Sequence, residues 1–166
     1  DFSTQVEAMA DCEVIFLPIY YTEAGLIARA AVAKGIGAEL FGCDGLDGIA
    51  DQVDASVTNT IKYITPFNVN SKDDNVVKFV TAYQAKYNAL PDQFAADAYD
   101  AIYTLAQAME KAGLSDPTIS PSDLTDAIIP VITGSDFKVV GVTGTMTWDE
   151  SGACSKEPQI VTLGEE

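Results

Sequence analysis

Residues 13–45 constrain the fold most. Glu13-Val14-Ile15-Phe16-Leu17-Pro18-Ile19 is a near-continuous apolar run, the pattern of a strand covered on both faces in a parallel sheet. Pro18 near its end fits a strand that is finishing. Tyr20-Tyr21-Thr22-Glu23-Ala24-Gly25 follows, with Thr22 as the expected cap of a helix that runs to about residue 34 and stops at Gly35. Leu26, Ile27, Ala30 and Ala33 recur at helical spacing and are expected to face the sheet. A second short strand, 38–43, then leads into Gly42-Cys43-Asp44-Gly45. A strand–helix–strand unit brings both strand ends to one edge of a parallel sheet, and that edge is where open α/β sheets hold small ligands.

The rest of the chain reads as a change of character. A short helix is expected near 49–53 and a third strand over 56–61. The irregular stretch Thr65-Pro66-Phe67-Asn68-Val69-Asn70 is the candidate hinge or crossover. Ser71 is read as the cap of the next helix, with Asp74 favouring its positive end and Val76, Phe79, Val80, Tyr83 and Tyr87 as its apolar stripe. Leu90-Pro91-Asp92 breaks the chain before a longer helix, 94–111, closed by Gly113. Its stripe is read through Ala95, Ala98, Ile102, Leu105, Ala106 and Met109. Ser120-Pro121 opens a third helix that ends by Pro130. Residues 141–148 and 158–163 are expected to form a two-strand ending around the turn Asp149-Glu150-Ser151-Gly152. The helices of 71–130 have no sheet of their own, so they are expected to pack on strands this chain supplies poorly.

Composition removes several function classes. The net charge is −16, from 25 acidic against 9 basic residues, so phosphate backbones and anionic membranes are repelled. With no histidine there is no Ser-His-Asp or Cys-His pair and no imidazole metal site. Gly35-Ile36-Gly37 lacks a third glycine and follows a helix, where a dinucleotide fingerprint would open one, and no P-loop is present. Asp44 and Asp47 are too few for a calcium loop of the EF-hand type. Cys12, Cys43 and Cys154 form no CxxC pair, and the first two are read as small buried fillers. No cofactor or metal is expected, and nothing singles out a catalytic pair of acids. No apolar run approaches the roughly 20 residues of a membrane span. The chain opens on Asp1-Phe2-Ser3 as if cut from something longer, so an export signal or anchor would lie outside it.

Three positions invite a binding role, each with a plainer alternative. Tyr20 is either the last packed residue of the first strand or a pocket wall, and Tyr21 must point elsewhere if the strand still alternates. Asp44 is either a turn-forming aspartate or an acid at the ligand edge. Phe94, opening the longest helix, is either a core or staple residue or a contact to ligand.

Taken together, these segments resemble the branched-chain amino-acid (leucine/isoleucine/valine type) substrate-binding proteins of bacterial ABC transporters, the type I periplasmic-binding fold. The resemblance rests on Phe2-Ser3 with Gln5, Val14-Ile15-Phe16-Leu17-Pro18, Tyr20-Tyr21-Thr22-Glu23-Ala24, and Gly42 with Asp44-Gly45. It continues through Phe94-Ala95-Ala96 with Ala98-Tyr99-Asp100-Ala101, and Gly141-Val142-Thr143-Gly144 with Trp148-Asp149-Glu150 and Gly152.

The resemblance implies an α/β fold of flavodoxin-like, parallel-sheet lobes, here an incomplete C-terminal segment. Residues 1–67 would be part of the second lobe, 68–150 helices and strand returning to the first, and 151–166 a tail making a return crossover. It implies a non-enzymatic, extracytoplasmic protein, periplasmic or a surface lipoprotein, that closes two hinged lobes on an amino acid or related polar ligand and delivers it to a membrane ABC permease. The family's carboxylate for the ligand ammonium falls on Asp44, its tyrosine on Tyr20, and an aromatic from the other lobe on Phe94. A sensor domain on the same scaffold and a flavodoxin-like α/β enzyme are the alternatives. If the segment stands alone, its open sheet edges would invite self-association.

Overall fold

The computed structural model describes residues 2–164. In chain order the elements are α1 (Ser3–Glu7), β1 (Val14–Leu17), α2 (Tyr21–Ala33), β2 (Glu39–Gly42), β3 (Ile61–Thr65), α3 (Asp74–Tyr87), α4 (Gln93–Lys111), α5 (Pro121–Ile132), β4 (Val139–Gly141), β5 (Gly144–Trp148), β6 (Cys154–Ser155) and β7 (Gln159–Thr162). Two 3-10 turns, Asp44–Leu46 and Ile49–Gln52, lie between β2 and β3. The chain divides into one unit ending at Asn70 and resuming at Pro158, and a second unit, Ser71–Glu157.

The first unit is built on a sheet of order β1-β2-β3-β7. β1, β2 and β3 run parallel, in a register that sets Leu17 beside Gly42 and Gly42 beside Tyr63. The tail strand β7 closes the sheet antiparallel to β3, with Ile64 opposite Ile160. One face carries the core: Ile15, Leu17, Leu40 and Ile61 pack against Ala24, Ile27, Ala28 and Ala31 of α2 and against Leu46 and Ile49 of the turns. Small residues on α2 let the helix approach the sheet closely, and burial of this apolar area is the main stabilising term.

Several expectations need correction. β1 is covered on one face only: Val14 and Phe16 are 53% and 56% exposed, and Phe16 stacks on Phe41 with ring centroids 6.4 Å apart. The apolar run therefore reports what both faces are suited to, while α2 covers just one. On α2 the inward stripe is Ala24, Gly25, Ile27, Ala28 and Ala31, and Leu26 faces solvent. Tyr20, not Thr22, is the N-cap, and it caps without a side-chain hydrogen bond. The third strand starts at Ile61, after a segment held by a local turn at Asp54 and by the Asn59 side chain, which reaches back to the residues before β2. The Ser56 N–H donates to Asp54 Oδ1 at 2.8 Å, and Asn59 Nδ2 donates to the carbonyls of Ile36 and Ala38 at 2.9 and 2.7 Å. Cys12 lies in the turn before β1 and is exposed, not buried, while Cys43 is half-buried.

In the second unit α3 is capped by Asp73, whose Oδ1 accepts from the Asn75 N–H at 2.8 Å, two residues later than expected. Asp92 caps α4 through the Ala95 N–H at 2.8 Å, and Ser120 caps α5 with Pro121 as its first residue. Pro130 sits inside the last turn of α5 instead of ending it. The buried side of α4 is Gln93, Ala96, Asp100, Thr104 and Ala108, whereas Ile102 and Leu105 of the expected stripe face outward. A three-stranded antiparallel sheet of order β4-β5-β6 completes the unit. Residues 158–163 do not pair with 141–148 but supply β7 to the other sheet.

Candidate functional site

β1 and β2 run parallel and end side by side, so the segments leaving them share one edge of the sheet. From β1 the chain passes Pro18, Ile19 and Tyr20 into α2, where the Ala24 N–H donates to the Tyr20 carbonyl at 3.0 Å. From β2 it passes Cys43 into the first 3-10 turn, held by Leu46 N–H to the Cys43 carbonyl and Asp47 N–H to the Asp44 carbonyl, both at 3.0 Å. Between these two exits lies a cleft of about 470 Å³ lined by Pro18, Ile19, Tyr20, Glu23, Cys43, Asp44 and Gly45.

The two tyrosines take different roles. Tyr21 is half-buried against the core, and its ring also packs where a Cβ on Gly48 (φ 95°) would lie 3.4 Å from it. Tyr20 is 64% exposed and walls the cleft. Asp44 is exposed on the opposite wall, in the first position of its 3-10 turn. Glu23 occupies the first turn of α2, where the helix dipole favours a carboxylate. The lining therefore combines a phenol, two acids, a thiol and an apolar Pro18-Ile19 stretch, with no lysine or arginine.

Behind the cleft Tyr63 donates to Asp47 Oδ1 at 3.2 Å, tying β3 to the turn that carries Asp44. Burial, then the Asp47 charge and this hydrogen bond, push the Tyr63 phenol well above its ordinary value. Among the described residues no group of three or more His, Cys, Asp or Glu side chains is placed to hold a metal ion.

Of the three positions singled out in the sequence, Tyr20 and Asp44 line this one cleft. Phe94 lies in the first turn of α4, in the second unit, and is 39% exposed. Glu23 and Cys43 were not anticipated as cleft residues. The same strand-end rule reaches both, since each lies within a turn of a strand exit already marked.

The family description that matches this chain, over residues 1–154, is that of a periplasmic binding protein. The chain belongs to the periplasmic binding protein family. It is 27% identical, with a TM-score of 0.77, to a leucine-binding protein of Thermotoga maritima, over 96% of this chain and 44% of that one. It is likewise 27% identical, with a TM-score of 0.70, to the branched-chain amino-acid transporter substrate-binding protein of Streptococcus pneumoniae in complex with isoleucine, over 98% of this chain and 49% of that one. A solute-binding protein of an R. palustris ABC transporter in complex with benzoate shares the fold, at 16% identity and a TM-score of 0.78, over 99% of this chain and 46% of that one. Comparison with the curated proteins found no match.

This periplasmic binding protein thus spans less than half the length of these relatives. Its family implies an extracytoplasmic place and a binding role. None of its described helices is long and apolar enough to cross a membrane.

Proposed function

We propose that the protein is the solute-binding component of an ABC importer and that it binds an amino acid through its ammonium group. The observation that carries this reading is the placement of Asp44 and Tyr20 on one cleft at the ends of β1 and β2. A desolvated ammonium needs a paired negative group, because an unpaired charge in a low-dielectric cleft costs several kcal/mol. Asp44 supplies that group, Tyr20 supplies a flat apolar wall with a hydroxyl, and Pro18-Ile19 suits an aliphatic side chain.

The electrostatics favour this ligand class over an aromatic carboxylate. A benzoate-like anion would meet Glu23 and Asp44 with no basic residue in the lining to offset them. The leucine-binding relative and the relative in complex with isoleucine agree with the amino-acid reading. Phe94 enters on the resemblance, as an aromatic contact contributed by the second unit. So do the assignment of the two units to lobes and the membrane permease as the partner that receives the ligand.

A thermal-shift screen of the full-length protein against the twenty standard amino acids and benzoate tests the proposal. A ligand present at 100 times its dissociation constant adds about 2.7 kcal/mol of stability. At least one amino acid should raise the melting temperature and benzoate should not. A shift with benzoate and none with any amino acid would refute the reading.

A further inference from the structure

Asp44 is followed by Gly45, and a side chain at that position has no room. A Cβ built there would lie 2.8 Å from the carbonyl oxygen of Ile19, 3.4 Å from the Ile19 carbonyl carbon and 3.5 Å from Cδ1 of Tyr20. Real Cβ atoms essentially never come within 3.0 Å of another heavy atom, so one of the two segments would have to move. Neither yields easily, because the obstructing atoms are backbone.

On one side, Ile19 and Tyr20 are held between β1, paired to β2 through Leu17 and Gly42, and the first α2 hydrogen bond, Ala24 N–H to the Tyr20 carbonyl. On the other side, the turn is pinned by its own two backbone hydrogen bonds and by Leu46, which is fully buried in the core. The missing side chain is what allows the Asp44 turn to close onto the backbone that carries Tyr20.

We infer that Gly45 is a positioning residue: by admitting the close approach of its backbone to Ile19 it keeps the Asp44 turn against the segment that carries Tyr20, so that both side chains line one cleft. The inference rests on the proposed amino-acid site. It goes further in assigning the site's geometry to a residue with no side chain. Gly37 is the natural control, since a Cβ there meets nothing within 4 Å.

The test is a double-mutant cycle in the full-length protein. Wild type, Gly45→Ala, Asp44→Asn, the double variant and Gly37→Ala are titrated calorimetrically with whichever of the twenty amino acids gives wild type its largest thermal shift. Asp44→Asn should weaken binding at least tenfold and Gly45→Ala should weaken it by a similar factor. Gly45→Ala should have less than a twofold further effect once Asp44 is already asparagine, and Gly37→Ala should bind as wild type does.

A loss from Gly45→Ala that is equally large in the Asp44→Asn background overturns the inference, and so does no loss at all. A Gly45→Ala variant with no cooperative melting transition also overturns it, because the glycine would then serve the fold and not the site. Unchanged affinity in Asp44→Asn, or wild type that binds none of the twenty, is a different outcome: it removes the amino-acid site itself and the inference with it.

Discussion

At the scale of single residues, neighbours with the same chemistry have diverged. Tyr20 and Tyr21 differ only in which way the chain turns as β1 gives way to α2, yet one walls the cleft and the other packs on the core. Alternation along a strand says that two adjacent side chains part company. It does not say which goes where, because the strand ends at Leu17 and the intervening Pro18-Ile19 resets the count.

Tyr63 was not visible as a structural residue either. Its partner Asp47 lies 16 positions away, and only the register of β2 and β3 brings them together. The raised phenol pKa has a definite sign. The folded state holds its proton more tightly than the unfolded chain, whose tyrosines ionise near about pH 10. The stabilisation is therefore complete below that pH and is lost as the pH rises above it. Denaturation midpoints between pH 9 and 11, on the order of one unit either side of that value, should fall more steeply for wild type than for Tyr63→Phe. Equal slopes would show that Tyr63 does not carry the effect.

At the scale of elements, chain order and helix existence were legible, and so was the buried side of α3 at Val76 and Phe79, but the orientation of α2 and α4 was not. The glycine stops at Gly35 and Gly113 and the Ser120-Pro121 start lie where the sequence puts them. The stripes of α2 and α4 are rotated from their expected positions. On α4 the cause is Asp100, which a hydrophobicity pattern places on the outside. Its carboxylate instead accepts from the backbone N–H groups of Val142 and Thr143 at 2.9 and 2.8 Å, and from the Thr143 hydroxyl at 2.6 Å. Gly141 contributes by leaving space, since a Cβ there would collide with the Asp100 carboxylate.

The β4–β5 connection is thus held to α4 by one buried acid. Asp100→Ala would leave those donors without their acceptor, at a cost on the order of 3 kcal/mol. Chemical denaturation should show that loss, with Asp100→Asn intermediate because one oxygen remains to accept. An Asp100→Ala variant as stable as wild type would contradict this account of the connection.

At the scale of the whole molecule, a parallel core buried on one face coexists with large apolar side chains that are exposed among the described residues. Val14, Phe16 and Ile160 on one sheet face, and Ile102 and Leu105 on α4, are all exposed. That surface is consistent with a chain spanning 44% to 49% of its 27%-identical relatives. The periodicities of the sequence describe helices and strands suited to more neighbours than this chain contains.

The cleft escapes this limitation, because both of its walls come from the β1–α2 and β2–turn exits of a single unit. Its central claim is that the carboxylate of Asp44 pairs with the ammonium of an amino acid. The direct measurement is the affinity of the full-length protein for its strongest amino-acid ligand, before and after Asp44→Asn, which keeps the size of the side chain and removes its charge. The predicted result is at least a tenfold weakening, equivalent to about 1.4 kcal/mol. An affinity equal to that of wild type would contradict the claim.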